Sequence, residues 1–173
     1  AQMFNLISLC WDNAVTNGVI MKDKWEKGEL AAEDVTNFLI IADEGHKWIT
    51  PKIPILLNLL ISYIRESRKF FIGFLIASQS LRDYFPENAN QDESDMIRTL
   101  FELAQYKFIF KQDSASLGHY RNIFGSVLTE GQVQDIPMLN QGECIMTVGN
   151  SRSLKLKVWL SKDYEDPIFK GGK

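Results

Sequence analysis

The run Asn37-Phe38-Leu39-Ile40-Ile41-Ala42-Asp43-Glu44 decides how the chain folds. Its apolar character is continuous rather than alternating, which suits a strand buried on both faces, as in a parallel sheet. Residues 70–78 form a second run of the same kind. Between the two lie Pro51 and Pro54, then helical spacing over 55–68; proline is tolerated at a helix start because the first N–H groups lack partners anyway. Upstream, 1–24 reads as a helix, with Phe4, Ile7, Leu9, Trp11, Val15 and Val19 at roughly turn spacing. The charged stretch 22–34, with Gly28, reads as a loop or short exposed helix. Downstream come a polar loop over 84–95, a short helix over 96–105 and a third strand over 106–111. A helix over 113–124 follows, with Asp113 or Ser114 as its N-cap. Residues 142–148 and 153–160 flank Gly149-Asn150-Ser151-Arg152 and read as a hairpin. The last run sets Leu154, Leu156 and Val158 against Lys155, Lys157 and Trp159, the pattern of a half-exposed edge strand.

This order predicts an α/β fold, a mostly parallel sheet flanked by helices with a C-terminal antiparallel hairpin at one edge. Such a sheet places its ligand at the carboxyl ends of its strands, so the residues that follow the apolar runs are the ones to read. The chain has 173 residues, 45% hydrophobic and 24% charged, enough for one packed domain spanning 1–173 and too apolar for global disorder. Its 19 Lys and Arg against 22 Asp and Glu give a net charge of −3, which argues against a general polyanion binder. The longest apolar stretches, 53–61 and 70–77, fall short of the roughly 20 residues that span a bilayer, and the chain does not open like a signal peptide. Cys10 and Cys144 read as reduced, buried thiols of a cytosolic protein. His46 and His119 sit at no metal-ligand spacing and read as structural or surface residues. Trp11, Trp25, Trp48 and Trp159 read as packing or interface anchors rather than a base-stacking platform. There is no internal repeat, no low-complexity tract and no Gly-x-Ser-x-Gly.

The first run ends in Asp43-Glu44, the pattern of a Walker B strand. A rigid strand can hold the Asp43 carboxylate toward Mg²⁺ and aim Glu44 at the water that attacks a γ-phosphate. The second run ends in Ala77-Ser78-Gln79. An amide at a neighbouring strand tip can orient a water and bond a phosphate oxygen at once. Arg65-Glu66-Ser67-Arg68-Lys69, at the end of the intervening helix, offsets that helix's C-terminal dipole; alternatively Arg65 or Arg68 reaches a neighbouring subunit as an arginine finger. No Gly-x-x-x-x-Gly-Lys-Ser/Thr occurs. Gly172-Lys173 is the one Gly-Lys pair, and it is terminal. The expectation is therefore a fragment, Walker B onward, of a longer ATPase whose phosphate cradle lies upstream.

These segments resemble the large conjugative-transfer ATPases of type IV secretion systems, which have a RecA-like P-loop NTPase motor domain. The likeness rests on residues 38–48, 65–69 and 74–83, on Leu128-Thr129-Glu130 and on Gln141-Gly142-Glu143. It implies ATP and Mg²⁺ as ligands, Asp43 as the Mg²⁺-side carboxylate, Glu44 as the activator of water and Gln79 as the γ-phosphate sensor. It also implies Arg68 as a trans-acting finger. Family members act as oligomers, often hexamers, with other secretion components at the cytoplasmic face of the membrane. The missing Walker A is a departure, and this chain is expected to be inactive alone. Two rivals share the motifs: a double-stranded DNA pump, and a non-catalytic interaction module with a vestigial site.

Overall fold

The structure, a computed structural model, describes residues 2–47, 49–85, 90–159 and 161. The chain divides into two compact units, Ala1–Leu103 and Ala104–Lys173.

The first unit runs α1 (Gln2–Glu26), β1 (Phe38–Ala42), α2 (Pro54–Glu66), β2 (Ile72–Ile76) and α3 (Gln91–Leu103). β1 and β2 pair in parallel, in register from Phe38 opposite Ile72 to Ala42 opposite Ile76. Parallel neighbours need a crossover, and α2 supplies it. Its buried Leu56, Leu57, Leu60 and Ile61 form one apolar stripe, and the helix packs against α3, which buries Ile97 and Leu100. One face of the strand pair is covered by α1. Trp11 stacks on Tyr63 with ring centres 4.3 Å apart and lies 6.1 Å from the Phe74 ring. Ala14, Ile72, Phe38 and Ile40 fill the same cluster. Gly18 lets the helix approach closely, since a Cβ there would lie 2.8 Å from Phe70 Cβ.

Three expectations change in this unit. The strands were expected to be buried on both faces, yet Leu39 and Ile41 are 59% and 65% exposed and Leu75 is 49% exposed. α1 covers the face carrying the even-numbered residues, and side chains of a strand alternate between faces. The short helix expected over 96–105 is α3, which begins at Gln91 inside the expected loop, because Asn90 caps it. Asn90 Oδ1 accepts from the Glu93 amide and Glu93 Oε2 from the Asn90 amide, each at 2.9 Å. Residues 86–89 of the expected loop lie outside the described residues, as does Trp48. Cys10 is exposed, one position along the helix from buried Trp11; the expectation of a buried thiol holds for Cys144.

The second unit contains β3 (Tyr106–Ile109), α4 (Leu117–Phe124), α5 (Glu130–Asp135), β4 (Glu143–Val148) and β5 (Arg152–Lys157). The third strand does not extend a parallel sheet as expected. It pairs antiparallel with β4, which pairs antiparallel with β5 in the anticipated hairpin. β3 alternates between exposed Tyr106 and Phe108 and more buried Lys107 and Ile109, so it has one covered face, as an antiparallel strand does. Asp113 caps the turn into α4, its Oδ1 accepting from the Ser116 amide at 3.0 Å. α5, not anticipated, is nucleated by a capping box: Thr129 Oγ1 accepts from the Gln132 amide at 3.2 Å, and Gln132 Oε1 from the Thr129 amide at 2.9 Å. Among the described residues, no helix is long and apolar enough to cross a membrane.

Candidate functional site

The site lies where β1 and β2 end. Pairing continues past both strands: the Ala77 amide donates to Ala42 O at 2.9 Å, and the Gly45 amide donates to Ala77 O at 2.8 Å. Between these bonds Glu44 adopts a left-handed backbone, φ 53°. That conformation costs a residue with a Cβ about 1–2 kcal/mol. It allows the chain to reverse within one residue. Gly45 follows with no room for a side chain, since a Cβ would lie 2.7 Å from Ile76 Cγ2 and 2.9 Å from the Tyr84 hydroxyl.

The reversal turns Glu44 toward the second strand tip. Gln79 Nε2 donates to Glu44 Oε1 at 2.7 Å, a bond strengthened by the charge on the acceptor. The other carboxylate oxygen, Oε2, faces His46 Nε2 at 3.5 Å and Lys47 Nζ at 3.9 Å. His46 Nδ1 lies 2.9 Å from Ser78 Oγ. Tyr84, buried and stacked edge-on against Phe101 at 5.3 Å, bonds Ser78 as well. Burial chiefly pushes its hydroxyl pKa up, so the Tyr84 proton stays in place.

Asp43 is exposed at the strand tip, and its Oδ1 accepts from the Glu44 amide at 2.8 Å. A carboxylate has acceptor positions beyond the one used there. A single exposed carboxylate suits a hard cation such as Mg²⁺, which keeps several waters and draws its remaining oxygens from phosphates. Among the described residues no group of three or more His, Cys, Asp or Glu could hold a metal by itself.

The structure thus brings together Asp43, Glu44 and Gln79. Arg68 does not join them. It sits in the short 3₁₀ turn Ser67–Phe70 before β2, whereas Gln79 follows β2. Five strand residues at about 3.3 Å each separate the two ends. Arg65, in the last turn of α2, lies at that same far end. The sequence reading took His46 as a structural or surface residue and gave no role to Ser78 or Tyr84. The available signal was position: His46 follows Glu44 by two residues across Gly45, and Ser78 adjoins Gln79, so joining the strand tips joins these as well. The other tryptophans divide: Trp11 is core, Trp25 rests edge-on against Phe71 at 6.3 Å, and Trp159 is 79% exposed. Leu128-Thr129-Glu130 and Gln141-Gly142-Glu143 lie in the second unit as a helix start and a turn.

No protein-family model matches the chain. An uncharacterized protein of Bacillus anthracis is 30% identical over 171 residues, covering 99% of this chain and 26% of that protein. Among solved structures, VirB4 of Thermoanaerobacter pseudethanolicus superposes with a TM-score of 0.69 at 17% identity, over 94% of this chain and 37% of VirB4. The chain therefore spans about a quarter of the curated relative and just over a third of VirB4. At this identity the likeness establishes the fold: a mixed α/β arrangement shared with part of VirB4.

Proposed function

We propose that the chain is the later part, Walker B onward, of a RecA-like ATPase domain of a type IV secretion ATPase, working in conjugative transfer. The observation that carries this reading is the 2.7 Å bond between Gln79 and Glu44 across the carboxyl ends of two parallel strands. That is the edge where an α/β sheet holds its ligand. The VirB4 likeness supports the context.

In this reading Glu44 accepts the proton of the water that attacks the terminal phosphate of ATP. Gln79 leaves Glu44 to bond that phosphate, reporting its presence, and returns once it has gone. Asp43 would hold Mg²⁺, which when bound neutralises charge on the phosphates. Arg68, at the far end of β2, serves the site of a neighbouring subunit in a homo-oligomer, a hexamer by analogy with related motors. The phosphate cradle comes from another part of the longer polypeptide. The protein works beside other secretion components on the cytoplasmic face of the membrane, with DNA as one possible cargo.

In the full-length natural polypeptide that carries this sequence, Glu44→Gln is expected to lower ATP turnover at least about 100-fold, the usual contribution of a general base. Nucleotide binding, read with a fluorescent ATP analogue, should persist. Turnover at the parental rate would overturn the reading and favour a non-catalytic module.

A further inference from the structure

Glu44 is held from two sides, and one side has no assigned purpose. Gln79 grips Oε1 at 2.7 Å, whereas Oε2 faces His46 Nε2 at 3.5 Å. If Gln79 turns to a phosphate, as the reading above requires, Glu44 loses its strongest side-chain bond. The His46 ring is itself fixed from behind. Its Nδ1 meets Ser78 Oγ at 2.9 Å, and Ser78 is bonded by buried Tyr84.

The carboxylate that faces Nε2 decides that this nitrogen carries a proton. A neutral imidazole has one N–H and one lone pair. With the proton on Nδ1 alone, the Nε2 lone pair would face the Glu44 carboxylate and repel it. With the proton on Nε2, that N–H faces Oε2 across 3.5 Å, and Nδ1 has the Ser78 hydroxyl as a partner at 2.9 Å. Ser78 Oγ also lies 3.5 Å from Ser80 O and bonds Tyr84, so the Ser78 hydroxyl is tied into the strand tip while it holds the His46 ring at Nδ1.

We infer that His46 is a positioning residue for Glu44: Ser78 holds its ring at Nδ1, and its Nε2–H faces the carboxylate and retains it in place when Gln79 releases it. His46 touches neither substrate nor reacting atoms in this scheme. The inference deepens the proposed ATPase reading and rests on it for its consequence, although the tautomer itself does not.

Two measurements test it separately. In this chain, labelled with ¹⁵N-histidine, long-range ¹H–¹⁵N correlations should show His46 with its proton on Nε2. Ser78→Ala should move those ring nitrogen shifts while the His119 signals stay put. A neutral ring protonated on Nδ1, or no response to Ser78→Ala, would overturn the inference. In the full-length natural polypeptide, His46→Ala should lower kcat for ATP about 10- to 50-fold with KM changed less than about 3-fold. His46→Gln, which can return an amide N–H to the Nε2 position, should recover most of that loss. Parental kcat in His46→Ala, or no recovery in His46→Gln, would overturn the positioning role. Failure of Glu44→Gln to lower turnover would instead remove the ATPase reading and leave the tautomer result standing.

Discussion

Glu44 and Gly45 show how two adjacent residues shape a site through the backbone. Glu44 bends left-handed, and Gly45 slots between Ile76 and Tyr84, where a side chain has no space. Gly45→Ala must therefore push β2 or Tyr84 aside. It is expected to destabilise the chain by about 1–3 kcal/mol, the usual cost of overpacking a tight spot. Urea titration followed by tryptophan fluorescence reads this through Trp11; an unchanged midpoint would mean that the turn relaxes without cost. The acidic pair and the glutamine were legible in the sequence because each directly follows an apolar run, and chain order alone puts such residues at a sheet's carboxyl edge. The histidine beside them was not, because its role depends on a one-residue reversal that carries no signature in residue type.

Among the elements, α5 illustrates what a sequence scan misses. It has six residues, too few for a visible apolar period, yet Thr129 and Gln132 cap it reciprocally. Its first residue, Glu130, accepts from Arg121 Nε at 3.0 Å and also bonds the Arg121 terminal nitrogen and Gln134. The bond from Arg121 is the main reason that its carboxyl pKa drops from the ordinary 4.5 to about 2. The folded value lies below the unfolded one, so the pair's contribution is complete above about pH 4.5 and fades as acid is added toward pH 2. Thermal melts of the parent and of Glu130→Gln should differ at neutral pH and converge across that window. Melting temperatures that stay equally far apart at every pH would show that the ion pair is not the cause. The strands were easier to foresee than their partners. Continuous apolar runs marked β1 and β2, but the pairing of β3 depended on which of its faces is covered, and residue type alone left that open.

For the molecule as a whole, the parallel strand pair presents Leu39, Ile41 and Leu75 on an exposed face. A buried isoleucine resists replacement, whereas an exposed one does not. Ile41→Thr keeps strand-compatible branching and should change the unfolding free energy of this chain by no more than about 0.5 kcal/mol. It should also reduce light scattering of concentrated solutions. A loss above about 2 kcal/mol would show that something covers the residue. The two ladder bonds past the strand ends, through Ala42, Gly45 and Ala77, carry a mechanical consequence. They rivet the tips of β1 and β2 into a single block. A force that tilts one strand drags the other along, so the gap between acid and amide opens by swinging side chains and not by parting the scaffold that bears them.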